Sequence, residues 1–240
     1  MNRKTITDRL AALGVAVPDI LLPREDGLEA WPQVACDQFT SQPEYWQEVE
    51  ARVGDKPSTL RIILPEVYLD ESRARVPNIH RAMEEYLQAG ILEKAVRGGF
   101  VLTERTTKSG ARLGLVAAAD LEGYDFAPGS RSMIRATEGT ILSRIPPRLA
   151  VRRDAALECP HVLLLLDDPK RSVIEPLYAR RGELPLLYDV ALMAGGGRVR
   201  GWGVTQEALL LSAQEALQGL KAGLPEENPL LFAVGDGNHS

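Results

Sequence analysis

Short apolar runs alternate with polar, turn-rich stretches along most of this chain. The runs at 32–36, 60–64, 161–166 and 230–234 are of strand length and bounded by turn residues, which predicts strands. The 161–166 run, His-Val-Leu-Leu-Leu-Leu, is apolar beyond its histidine and predicts a fully buried strand in a central or parallel position. Two pairs of β-rich runs predict hairpins. One joins 98–104 to 112–120 about Lys108-Ser109-Gly110; the other joins 184–193 to 198–204 about Gly195-Gly196-Gly197. The apolar segment 114–120 predicts a place inside the sheet. The triple glycine lacks the lysine and the strand-to-helix setting of a phosphate loop, so it reads as a flexible turn.

Helical spacing fills the gaps. A short helix is expected over 5–13, capped by Thr7 or Asp8 and stopped by Gly14. Ser41-Gln42-Pro43-Glu44 has the form of a capping box opening a helix to about 53. Pro77 opens a longer helix over 78–96, with Ile79, Met83, Tyr86 and Ile91 near one stripe. A basic helix follows over 149–158, with Arg148, Arg152 and Arg153 on a solvated face. Asp168 before Pro169 reads as the cap of a helix over 170–181, kinked by Pro176. Thr205 caps the last helix, 206–222. The sum is an α/β (α+β) fold: a mixed β-sheet with two hairpins and flanking helices, divisible into an N-terminal subdomain, 1–125, and a C-terminal one, 126–240.

Composition adds exclusions. The 240 residues carry a net charge of −5, without the basic footprint of a nucleic-acid binder. No apolar run approaches the roughly 20 residues of a membrane helix, and the N-terminus lacks an apolar signal core. Two separated cysteines, Cys36 and Cys159, suggest a reducing compartment, and the expected localisation is cytoplasmic. The three histidines, His80, His161 and His239, are too scattered for a zinc site, and no metal site is assigned.

Unusual chemistry concentrates at two strand ends. The 230–234 run leads at once into Gly235-Asp236-Gly237-Asn238-His239-Ser240, placing an acid, an amide, an imidazole and a hydroxyl within five positions. Polar groups at the carboxyl end of a buried strand are where open α/β sheets place their sites. Here the chain stops without a further helix, which reads as a fragment cut at its functional loop, with Asn238 to Ser240 poorly ordered. The second stretch, 124–147, gathers Arg131, Arg135, Thr137, Glu138 and Thr140 in a turn-rich segment suited to an anion such as phosphate. Asp37, Gln38 and Thr40 stand before a helix start and could face a ligand there.

The segments Ile134-Arg-Ala-Thr-Glu-Gly-Thr140 and Val234-Gly-Asp-Gly-Asn-His239 resemble a bacterial and archaeal family of uncharacterised proteins, the domain of unknown function 1015. Family members carry an Ile-Arg-Pro-His-Glu-x-Thr-like stretch and a later strand ending in Ala-Asp-Gly-His-His-Arg. Asp236, Gly237 and His239 match; Ala136-Thr137 and Gly235, Asn238 and Ser240 depart. The resemblance implies a fold and no established activity. The Asp-Gly-x-His stretch is also similar to one in ParB-like and sulfiredoxin-like proteins and a related free-serine kinase, where it lies at a helix N-terminus beside nucleotide phosphates. That similarity implies Asp236 as a base or metal partner and His239 as a phosphate contact.

The functional expectation is therefore a nucleotide- or phosphate-dependent enzyme acting on a small metabolite by phosphoryl transfer, kinase-like, with ATP or ADP and Mg²⁺ as the candidate cofactor. Its catalytic residues would be Asp236, His239 and Glu138. Binding would fall to Arg131, Arg135, Thr137, Thr140, Gly235, Gly237 and Asn238. The alternatives are a non-catalytic binding or regulatory protein for an anionic metabolite, and a metal-dependent hydrolase using Asp167, Asp168, Asp236 and His239. Neither nucleic acid nor membrane is an expected partner, and oligomeric state is left open.

Overall fold

A computed structural model describes residues 2–24, 28–159 and 162–237. In chain order the elements are α1 (Arg3–Ala11), β1 (Val15–Ala16), β2 (Ile20–Pro23), α2 (Pro43–Val53), α3 (Ser72–Gln88), β3 (Leu92–Val96), β4 (Phe100–Thr107), β5 (Gly110–Val116), β6 (Ala118–Ala119), β7 (Tyr124–Asp125), β8 (Ile134–Ala136), α4 (Ile145–Arg152), β9 (Leu163–Leu165), α5 (Glu175–Ala179), β10 (Leu186–Ala191), β11 (Arg198–Val204), α6 (Glu207–Ala222) and β12 (Phe232–Asp236). This is a mixed α/β fold.

Both expected hairpins form, and they join one another. Antiparallel pairing of β11 with β4 makes a four-stranded sheet in the order β10-β11-β4-β5. Gly197 shows why the second turn needs its glycines: its φ is +98°, and a Cβ there would lie 2.2 Å from the Thr106 carbonyl oxygen of β4. The second sheet, β7-β8-β12-β9, is mixed, with β7, β8 and β12 parallel and β9 antiparallel. Two smaller pairs, β1 with β6 and β2 with β3, complete the strands. The main core draws on both sheets and both ends of the chain. Ile6 and Leu10 of α1, Phe100 and Leu102, Trp202 and Val204, Leu209 and Leu210 of α6, and Phe232 and Val234 pack in one cluster. Strands and core residues from either side of residue 125 share this sheet and this cluster.

Several expected elements differ. Thr7 and Asp8 do not cap α1; Asn2 does, accepting from the Thr5 N–H at 2.9 Å, so the helix starts at Arg3. The 32–36 run forms no strand and enters a turn at Cys36, and Thr59–Arg61 is a 3-10 turn rather than part of a strand. Pro77 lies inside α3, and Gly90 (φ +63°) then redirects the chain, so that 92–96 is β3 rather than the end of a helix. Neither Thr40 nor Ser41 caps α2: Gln42 occupies that position without a side-chain bond. Likewise Gln206, not Thr205, precedes α6. The 110–116 strand forms a sheet edge. So does β9, whose Leu163 and Leu165 are exposed; His161 of that run lies outside the described residues. The expected helix 170–181 reduces to α5. Asp168 instead ties the turn before it, accepting from the Ser172 and Val173 N–H groups at 2.6 and 2.9 Å and from the Ser172 hydroxyl at 3.0 Å. Among the described residues no helix is long and apolar enough to cross a membrane.

Candidate functional site

The parallel register of β8 and β12 brings the two chemistry-rich stretches together. Ala233 pairs with Arg135 and Val234 with Ala136, so both strands run out at the same edge of the sheet. The Thr137 N–H and hydroxyl both donate to the Val234 carbonyl, at 3.2 and 2.8 Å. The 137–140 segment thus departs beside the point where Gly235 and Asp236 depart. Strand carboxyl ends of this kind are the usual ligand-binding edge of parallel sheets.

A third segment joins them. Asp236 Oδ2 accepts from Gln38 Nε2 at 3.3 Å, and Asp236 Oδ1 accepts from the Gly237 N–H at 3.0 Å. Gln38 Nε2 also reaches Asp37 Oδ1 at 3.4 Å. Gln38 is held from behind, since Trp46 of α2, fully buried, donates its indole N–H to the Gln38 carbonyl at 3.1 Å. Asp37 Oδ2 is buried and accepts no hydrogen bond among the described residues, an uncommon condition for a carboxylate oxygen.

The start of this segment is clamped by an arginine that composition alone places in solvent. Pro146 and Pro147 occupy the first turn of α4, which therefore begins at Ile145 and turns Arg148 inward. Arg148 is 6% exposed. Its guanidinium donates to the Leu64 carbonyl at 2.8 Å and the Cys36 sulfur at 3.3 Å, and pairs with Glu66 at 3.2 Å. Glu66 also pairs with Arg144 at 2.9 Å, and its N–H donates to the Cys36 carbonyl at 2.7 Å. Burial pushes up the Cys36 thiol, against the opposing pull of Arg148. The signal for an inward Arg148 lies in the Pro-Pro pair, which fixes the first turn of the helix.

The remaining expected residues fall as follows. Arg135 is half-buried and braces the loop before β12, donating to the Ser130 carbonyl at 2.7 Å and to the Asn228 side-chain oxygen. Both partners are neutral; among the described residues no carboxylate pairs with Arg135 or with the exposed Arg131. Glu138 is exposed, and Thr140 shares a hydrogen bond with Tyr124 of β7. Gly235 and Gly237 have close neighbours in the chain: a Cβ at Gly235 would meet Leu165 at 2.7 Å, and one at Gly237 (φ +79°) would meet the Val162 backbone at 3.1 Å. Asn238, His239 and Ser240 lie outside the described residues. Asp236, Thr137 and the 137–140 segment therefore share one edge, with Gln38 and Asp37 as the addition from the N-terminal half.

Two other places were open to a site. A cavity of about 740 Å³ lies between the end of α2 and α3, lined by Arg61, Arg75, Glu50 and Tyr86 among others. Its arginines are already engaged, Arg61 with Glu50 and Arg75 with Glu71. On β4 of the other four-stranded sheet, Glu104 (4% exposed) accepts from Tyr178, Arg200 and Thr106. Burial alone would raise that carboxyl, but these hydrogen bonds outweigh it and hold it below the usual range.

The family model described as "Protein of unknown function (DUF1015)" matches residues 18–240. The chain belongs to the DUF1015 family. No curated protein and no solved structure matches it. The match covers all three segments of the candidate site, 36–40, 131–140 and 235–237.

Proposed function

We propose that this DUF1015 chain is a nucleotide- or phosphate-dependent enzyme that transfers a phosphoryl group to a small metabolite at the edge formed by β8 and β12. The observation that supports this reading most directly is the convergence at Asp236. One carboxylate, oriented by Gln38, sits at a parallel-strand carboxyl end where the 137–140 segment also departs, while Arg131 and Arg135 of the same stretch stand toward the amino end of β8 and have no carboxylate partner among the described residues. Phosphoryl transfer needs cations on the transferring group and a base on the acceptor. Arg131 and Arg135 take the first role and Asp236 the second, accepting the acceptor's hydroxyl proton as its oxygen bonds to phosphorus and the donor's bridging bond breaks. Thr137, Thr140, Gly237 and Asn238 bind the phosphates, while Glu138 and His239 orient the acceptor. Mg²⁺ takes oxygen ligands and requires only one or two carboxylates besides the phosphates, a demand that Asp236 with Asp37 suits. The similarity of the Asp-Gly-x-His stretch to ParB-like proteins points to a nucleotide as donor.

Titration calorimetry with ATP, ADP and CTP, each with Mg²⁺, tests this directly. At least one should bind with a Kd that worsens on Asp236→Asn or Arg135→Ala; absence of heat with all three removes the nucleotide reading. Arginines without a carboxylate partner among the described residues equally favour a second reading, a non-catalytic receptor for an anionic metabolite. In that case Arg135→Ala lowers affinity in a protein that shows no turnover. The metal-hydrolase reading has less support, because both oxygens of Asp168 are engaged in the 168–173 turn.

A further inference from the structure

Phe39 combines three properties that rarely coincide. Its φ is +56°, in the left-handed region where a bulky side chain is an outlier. The residue is 39% exposed, so burial compensates the strain only in part. And it lies flat on Tyr45, with ring centroids 4.0 Å apart and planes 9° from parallel. Tyr45 in turn meets Trp46 edge-on at 5.2 Å. The aromatic stack is thus anchored in the core at one end and open at the other. Strained backbone at a partly exposed residue is a mark of functional segments.

The position of the open face matters as much. Phe39 follows Gln38, whose amide touches Asp236, and the same Trp46 that supports the stack fixes the Gln38 carbonyl. A flat, exposed aromatic face therefore sits one residue from the carboxylate at the centre of the candidate site. Base–aromatic stacking tolerates any base and adds affinity without hydrogen-bond readout.

We infer that Phe39 is the platform on which the base of the bound nucleotide stacks, setting the site's preference for a nucleotide over a base-free polyphosphate. The inference rests on the nucleotide reading above and specifies the half of the ligand that the arginines do not contact.

The test compares two probes, ATP and inorganic tripolyphosphate, both with Mg²⁺, by titration calorimetry on the whole chain. Phe39→Gly removes the ring and adopts the same φ without strain, so relief of strain offsets the lost Tyr45 stacking and its melting temperature should stay close to that of the wild type. Phe39→Trp keeps a larger stacking face. Wild type should bind ATP more tightly than tripolyphosphate. Phe39→Gly should weaken ATP roughly 5- to 100-fold while leaving tripolyphosphate unchanged, and Phe39→Trp should restore ATP affinity. An unchanged ATP affinity in Phe39→Gly, or equal losses for both probes, overturns the platform and leaves the nucleotide reading standing. Selective loss of ATP binding in Phe126→Ala, the other exposed aromatic ring near this sheet edge, without loss in Phe39→Gly, overturns it too. Wild type that binds neither probe overturns both.

Discussion

Replacing Arg148 by methionine isolates what a buried cation does for the segment that carries Gln38. Methionine keeps much of the apolar stem and removes the guanidinium, so packing changes little. Three interactions disappear: the bond to the Leu64 carbonyl, the contact with the Cys36 sulfur and the pair with Glu66. Leaving a buried carbonyl unsatisfied costs about 1–3 kcal/mol. Breaking a buried ion pair by removing one partner costs about 3–5 kcal/mol. The second figure must be reduced, because Glu66 keeps Arg144 at 2.9 Å and that arginine is itself 42% exposed. A net loss of roughly 3 kcal/mol is expected, equivalent to about 6–12 °C in melting temperature for a chain of this size. Urea unfolding followed by tryptophan fluorescence measures it, with Glu66→Gln completing a double-mutant cycle. A loss below about 0.5 kcal/mol, the usual range of surface substitutions, would refute the reasoning and return Arg148 to a solvated role.

Other outcomes follow from the same structure. Tyr178→Phe should cost about 2 kcal/mol at neutral pH, as expected for a hydrogen bond to a carboxylate. Because Glu104 titrates below its ordinary value near 4.3, its stabilisation is complete above that pH and is lost as pH falls through the lowered folded value; the gap between wild type and variant in acid unfolding should therefore close below about pH 4. Gly197→Ala should lose roughly 2–5 kcal/mol in thermal unfolding, from left-handed strain plus the clash with the Thr106 carbonyl. Burial pushes the Cys159 thiol up to about 11. Cys159 should therefore react with a thiol reagent at pH 8 on the order of a hundredfold more slowly than free cysteine, Cys36, also raised, should be slowed too, and both should react at the ordinary rate in denaturant.

What the sequence discloses here is local, and what it conceals is partnership. The hairpins about Lys108-Ser109-Gly110 and Gly195-Gly196-Gly197 follow from pattern and turn residues, because both partners lie within a few positions of the turn. The 161–166 run has the composition of a central strand, yet β9 is an edge with Leu163 and Leu165 exposed, since an apolar run does not specify how many neighbours it has. Residues 78–96 read as one helix because Glu93 and Lys94 are good helix formers; the reversal at Gly90 and pairing with β2 convert 92–96 to strand. Asp236 and the 131–140 segment were legible as chemistry, while their adjacency depends on parallel pairing across the sheet. The Gln38–Asp236 contact spans 198 positions and has no local signature. Nor has the left-handed φ of Phe39, which is set by the turn into α2.

The place of β12 between β8 and β9 has a temporal consequence. Thr137 and the Val234 carbonyl that anchors it are 97 positions apart. At ribosomal rates of about 5–20 residues per second, β8, already beside β7, waits roughly 5–20 s for its second partner strand. During that interval Ile134 lacks Phe232 and Val234, and the Thr137 side chain has no carbonyl to grip. When β12 arrives, one insertion closes the sheet, fills the core and delivers Asp236 to Gln38. The pairing of β8 and the positioning of Asp236 beside Gln38 therefore arrive together, in one step.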